Sequence, residues 1–259
     1  MNGREVAGTA ASWLLLLLAA PLAVGAAVQP APVPAPPALT TPVAPPLPGI
    51  TGNSILENLM EHNRARNAAL LGYSAQRSYA LSNTEGHVYA EETVQMDFHE
   101  PGMKTFQFES GEGSWLVRQL VFRRLMDDES RTASGAANRR SALSPENYSF
   151  RLLGEQWVGS YDCYVVQVTP KRRGMYLFTG KVWLNMPDYG IVRVTGSPDR
   201  KLPFLIKRIV FVRQYEKIGS FWLPESDWTD VQVRLIGRRI FSIRHWDYSL
   251  HRTVTASRN

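Results

Sequence analysis

The sequence predicts a mainly β, α+β domain of about ten antiparallel strands in one large curved sheet, with two helices against its concave side. Three observations carry this. Apolar and polar residues alternate with period two through most of the chain beyond Gly72. Most breaks between the alternating runs are only two to four residues long, too short for crossover helices, so neighbouring strands pair as a meander. Only two stretches, one from Ser54 and one from Ser114, space their apolar residues as a helix does.

The first helix opens at Asn53 or Ser54 as cap, with Glu57 at the capping-box position and Ile55, Leu59, His62 and Arg66 at helical spacing. Three strands follow, Tyr73–Ser82, His87–His99 and Met103–Glu109, divided by the turn-forming Asn83–Gly86 and Glu100–Gly102. Val94, Met96 and Phe98 share one strand face, and Phe106 and Phe108 continue an apolar face in the next strand. Residues Ser114–Ser130 form the second helix, its Leu116, Val117, Leu120, Val121, Phe122 and Leu125 opposite Arg118, Arg123, Arg124 and Asp128. Asp127-Asp128-Glu129 reads as its solvated end. Arg131–Ser144 has no apolar period and reads as a mobile surface loop. Seven more strands complete the chain: Tyr148–Trp157, Ser160–Thr169, Met175–Leu184, Gly190–Thr195, Leu205–Lys217, Phe221–Leu235 and Ile240–Leu250.

Ahead of this domain stand two segments of different character. Residues 1–27 read as a secretory signal: charged Arg4 and Glu5, five leucines at Leu14–Leu18, and a small-residue run ending in Ala26-Ala27 where cleavage is expected. The uncharged stretch Val6–Val28 is also long enough to be an uncleaved anchor. Residues 28–49, with nine prolines between Pro30 and Pro48, favour extended polyproline II and read as a disordered linker. Residues 50–259 are the domain. An exported, periplasmic location follows from the signal, with membrane anchoring as the alternative.

Charge and cysteine usage narrow the partners. A net charge of +6 in an exported protein suits anionic headgroups or glycans. No zinc-finger, helix-turn-helix or arginine-rich helix points to nucleic acid. The single Cys163 excludes an internal disulfide and any site needing several thiolates, and no cysteine near the cleavage point could carry a lipid.

Strand faces raise the possibility of a cavity. Val231, Val233 and Leu235 alternate with Asp230, Gln232 and Arg234, giving one wet side, whereas Leu205–Val212 is apolar on both. Helices must cover the second apolar side. Filled by side chains, that space is a core; unfilled, it is a ligand pocket, and the sequence does not separate the two.

The helix from Ser54 with Leu71-Gly72-Tyr73, the stretch Tyr176–Asn185 with Gly180 and Trp183, Ile191–Val194, and Gly219–Glu225 with Trp222 and Pro224 together resemble the outer-membrane lipoprotein-sorting family (LolA/LolB-like). The resemblance spans most of Ser54–Leu250. It implies an incomplete antiparallel β-barrel, a half-barrel whose helices plug a hydrophobic cavity that carries lipoprotein acyl chains in transit. The expected ligand is therefore a lipoprotein acyl chain or another lipid, with membrane-protein partners possible and a monomeric carrier. A regulatory sensor on the same scaffold and a ligand-free structural envelope protein are the alternatives. Two departures stand: the proline-rich leader is foreign to the compact carrier, and no arginine aligns with the one that holds the family's lid closed.

The candidate lining residues are Val94, Met96, Phe98, Phe106 and Phe108 from the sheet, with Trp115 and Leu116 from the covering helix; the competing reading of each is ordinary core packing. No enzyme is expected, and no cofactor or metal. Gly111-Glu112-Gly113-Ser114 lacks the second glycine of a nucleophile elbow, and His62, His87, His99, His245 and His251 lack metal-ligand spacing. Cys163 reads as a buried small hydrophobe, and Lys171-Arg172-Arg173 as a basic hairpin tip.

Overall fold

The computed structural model describes residues 36, 38–46, 48–133, 140–174 and 176–252, so the expected signal segment lies outside the described residues. Ten strands form a single sheet: β1 (Leu70–Ser82), β2 (Val88–His99), β3 (Met103–Gly113), β4 (Tyr148–Val158), β5 (Tyr161–Pro170), β6 (Phe178–Asn185), β7 (Ile191–Pro198), β8 (Ile206–Ile218), β9 (Phe221–Val233) and β10 (Gly237–Arg252). Their order is β3-β2-β1-β10-β9-β8-β7-β6-β5-β4, and every neighbouring pair is antiparallel. β3 and β4 are the two edges and do not meet, so the sheet is an open half-barrel. The meander reading holds within β1–β3 and within β4–β10, but not between β3 and β4. The one pairing between strands distant in sequence is β1 with β10, where Arg77 faces His245 and Tyr79 faces Ile243.

Two helices share one face of this sheet. Helix α1 (Gly52–Ala69) begins at Thr51, whose side chain accepts from the Ser54 amide while the Ser54 hydroxyl accepts from the Thr51 amide. The cap is thus two residues earlier than Asn53, and Ser54, not Glu57, closes the box; a serine at the third position reaches the cap amide as a glutamate would. Ile55, Leu56 and Leu59 are buried against Val166, Val182 and Leu184 of β5 and β6. Helix α2 occupies residues 115–132: α at Trp115–Val117, π at Arg118–Arg123, α again at Arg124–Thr132. Ser114 caps it by accepting from the Val117 amide. The π segment widens one turn and re-aims the face, so that Val117, Val121, Phe122, Leu125 and Met126 all reach the sheet.

Two further expectations change. Of the segment expected as a mobile loop, residues 134–139 lie outside the described residues, but Ser141, Ala142 and Leu143 are buried, with Leu143 in the α1 core. Three consecutive residues hide although the segment has no period, because Leu143 joins the core beneath α1 and the Asn147 side chain donates to the Ala142 carbonyl at 2.9 Å. Part of the expected linker also makes ordered contacts. Ala44 exchanges two backbone hydrogen bonds with Glu155 of edge strand β4, at 2.8 and 2.9 Å, and Leu39 and Val43 pack on the core. Gly154 makes this possible: its φ of +145° and missing Cβ leave room for the Ala44 carbonyl.

Candidate functional site

The concave face follows from strand register. Directly opposed residues of antiparallel strands lie on one side, so one row runs Glu92–Tyr79–Ile243–Asp227–Arg213–Val194–Val182 across six junctions. Its β6–β7 end is apolar and lies under α1. Its β2–β1–β10 end, with Tyr79, Val94, Phe241 and Ile243, lies under α2, where the rings of Tyr79, Phe122 and Phe241 pack together. Between the two helices the row is charged.

That charged centre has two parts. Arg77, only 2 % exposed, donates to Glu129 of α2 at 2.7 Å and 3.3 Å and to the Tyr79 hydroxyl at 3.0 Å. Lys104 of β3 reaches the same carboxylate at 2.5 Å. Burial alone would raise the Glu129 carboxyl, but the two cations outweigh it and hold it well below the usual carboxylate range. Removing either partner of such a pair leaves an uncompensated buried charge, at about 3–5 kcal/mol. The cluster therefore fixes where α2 sits. In the second part Arg213 pairs with Asp227, and the His245 imidazole lies 3.7 Å from the same carboxylate. Burial, reinforced by nearby Arg77, pushes His245 down to about 4 against the pull of Asp227, so it is neutral at pH 7.

Glu129 corrects the reading of Asp127-Asp128-Glu129 as a solvated end: Asp127 is exposed, whereas Glu129 is the anchor of the helix. The cluster left a mark in the sequence. Arg77 lies between Ala75 and Tyr79, and Arg213 between Phe211 and Tyr215, each a charge on an inward strand face, where a partner is obligatory.

The proposed lining residues divide. Val94 and Met96 are buried on the concave face, Phe98 and Phe106 are half-buried beside them, and the Arg77 guanidinium lies 5.4 Å from the centre of the Phe106 ring. Leu116 is half-buried at the start of α2. Phe108 and Trp115 stand apart, 57 % and 62 % exposed. A bulge at Thr93/Val94 and the edge position of β3 take Phe108 beyond the helix's cover, and Trp115 sits at the first turn of α2, away from the buried stripe.

Two small cavities lie under the helices. A cavity of about 10 Å³ lies between α1 and β4–β6, lined by Leu59, Phe150, Val168 and Leu184 among others. Another of about 40 Å³ lies at the end of α1, lined by Asn63, Arg66, Asn67, Leu70, Ile191, Tyr215, Phe221, Trp222 and Leu223. Beside it, Asp188 accepts from Asn185, Trp222 and the Gly190 amide and pairs with Lys217. Each volume is of the order of a water, far below an acyl chain. Among the described residues no group of three or more His, Cys, Asp or Glu could hold a metal ion, and no helix is long and apolar enough to cross a membrane.

Neither a family model nor a curated protein matches the sequence. Solved structures resemble it in chain path. A DUF1329 family protein from Desulfovibrio piger is 12 % identical with a TM-score of 0.42, the match covering 80 % of this chain and 95 % of that one. A putative outer membrane lipoprotein-sorting protein domain from Vibrio parahaemolyticus is 13 % identical with a TM-score of 0.42, covering 77 % and 93 %. A LolA superfamily protein from Nitrosomonas europaea is 14 % identical with a TM-score of 0.37, covering 78 % and 94 %.

Proposed function

We propose that this chain is an exported binding and carrier protein for lipoproteins or other acyl-chain amphiphiles, which occupy the concave face when α2 moves aside. One observation carries the reading: the apolar strip Tyr79, Val94, Phe241 and Ile243 is covered by α2, which adds no strand to the sheet and is tied to it only through side chains, Ser130 on the Lys104 carbonyl and Glu129 on Arg77 and Lys104. A helix can leave without opening the sheet.

Magnitudes allow the exchange. Undocking α2 uncovers five buried side chains, of the order of 10 kcal/mol at about 2 kcal/mol each. An acyl chain of a dozen or so methylenes recovers a similar sum at about 0.8 kcal/mol each. Without ligand the helix stays down, held also by the Arg77–Glu129–Lys104 cluster; with ligand the gap between the two states narrows to about what that cluster contributes. The small cavities are those of the closed state.

The direct test is to purify the full chain natively, extract it with organic solvent and identify bound lipid by mass spectrometry, then offer it a diacylated lipopeptide. Acyl chains in stoichiometric amount, or uptake with faster amide exchange in residues 115–132, is expected. An empty protein that refuses the lipopeptide overturns the reading. Phe106→Asp should abolish uptake and leave the far-ultraviolet dichroism intact; global unfolding instead would mark Phe106 as ordinary core.

A further inference from the structure

The two ends of the sheet differ in character. Ser82 pairs with Ile240, Ile206 with Val233 and Phe178 with Pro198, so the β1–β2, β5–β6, β7–β8 and β9–β10 connections share one end. There, Phe204 is 80 % exposed and Leu235 95 % exposed, with Leu205 and Ile236 exposed beside them. Leu235 also holds a φ of +74°, a conformation that glycine or asparagine adopts far more readily than leucine. A large apolar side chain kept uncovered on a strained turn is the pattern of a binding element.

The two connections form one unit. The Arg234 amide donates to the Leu205 carbonyl at 2.7 Å, its Nε donates to the Phe204 carbonyl at 2.7 Å, and its guanidinium lies 4.9 Å from the centre of the Phe204 ring. Around them Lys201, Lys207, Arg208 and Arg234 are exposed. The basic tip Lys171-Arg172-Arg173 lies at the same end, as does Trp115 where α2 begins. Acids stand at this end too, Glu85, Glu112, Glu146, Asp199 and Asp230, the last engaged by Arg238, but they are fewer than the cations.

We propose that this end of the sheet docks on an anionic lipid bilayer, Leu235, Ile236 and Phe204 entering the headgroup boundary while the surrounding cations meet lipid phosphates. Charge complementarity selects the occupant. Cations ringing apolar tips match the layered chemistry of a bilayer surface, anionic outside and apolar within. The inference stands independently of what the concave face holds.

The test uses the full chain with an environment-sensitive thiol dye at Leu235→Cys. Cys163 is fully buried, and burial pushes its thiol up to about 12, so it stays unlabelled. A second protein carries the dye at Ser220→Cys, in the β8–β9 turn at the opposite end, and reports attachment through the N-terminal segment alone. With phosphatidylcholine vesicles containing about 30 % phosphatidylglycerol, the Leu235 dye should shift to the blue and partition at least about tenfold better than with phosphatidylcholine alone. Added salt should reverse this, and the Ser220 dye should stay silent. No shift at Leu235, an equal shift on neutral vesicles, or equal shifts at both positions overturns the proposal. Failure to take up lipopeptide leaves these readouts untouched.

Discussion

His245 shows what a single residue does to the pH response. Its folded-state value of about 4 lies below the ordinary 6.5, so the unfolded chain takes the proton first. Its contribution is complete above pH 6.5 and is lost as pH falls towards 4, by roughly 3 kcal/mol. Glu129 acts lower down: its depressed carboxyl favours the fold above its ordinary 4.5, and that contribution disappears as pH falls further. Chemical denaturation at pH 8, 6, 5 and 4 should show stability already declining between 6.5 and 5, and His245→Phe should flatten that first decline only. A wild-type curve level from pH 7 to 5 would contradict a neutral buried imidazole. These groups were hard to recognise in the sequence. Arg77 and Arg213 show as charges on inward faces, but their partners Glu129 and Asp227 look like any surface acid until the fold brings them 52 and 14 positions back along the chain.

Elements were far easier to read. Period two survives wherever one strand face is buried, which is why the ten strands, the pairing of sequence neighbours and both helices could be anticipated, whereas the closing pair β1–β10 could not. What failed depended on distant chain. Phe108 alternates correctly but sits on an edge strand beyond a bulge, and neither property is local in sequence. The segment around Ala44 lacks periodicity because its order comes from β4. Gly154 offers a test of that contact: Gly154→Ala places a methyl against the Ala44 carbonyl and requires a φ of +145°, which costs an L-residue about 1–3 kcal/mol. Amide exchange at Ala44 and Glu155 should rise sharply while the β4–β5 ladder keeps its protection. Unchanged exchange at both would mean the segment adapts around the methyl.

At the scale of the whole molecule, β10 is the strand that makes one sheet of two. β1–β2–β3 and β4–β9 are each contiguous meanders, and only β10 bonds to both. Ending the chain after Ile236 should remove Tyr79's neighbour Ile243 and most of the α2 core with it, leaving no cooperative unfolding transition for the β1–β3 half. A truncated protein that melts as one unit with near-native enthalpy would show that the halves are coupled by other contacts.

The position of β10 also sets a timetable. Synthesis delivers β1 early and β10 some 170 residues later by the Arg77–His245 pairing, so β1 waits beside an empty berth while the eight strands between them are made. Until β10 arrives, the amide edge of β1 is open to any other extended peptide, and the loop to be closed is long, which slows its closure. The folding protein is thus open to mispairing until β10 arrives, and a factor that shields extended chains would act on this protein chiefly by covering β1.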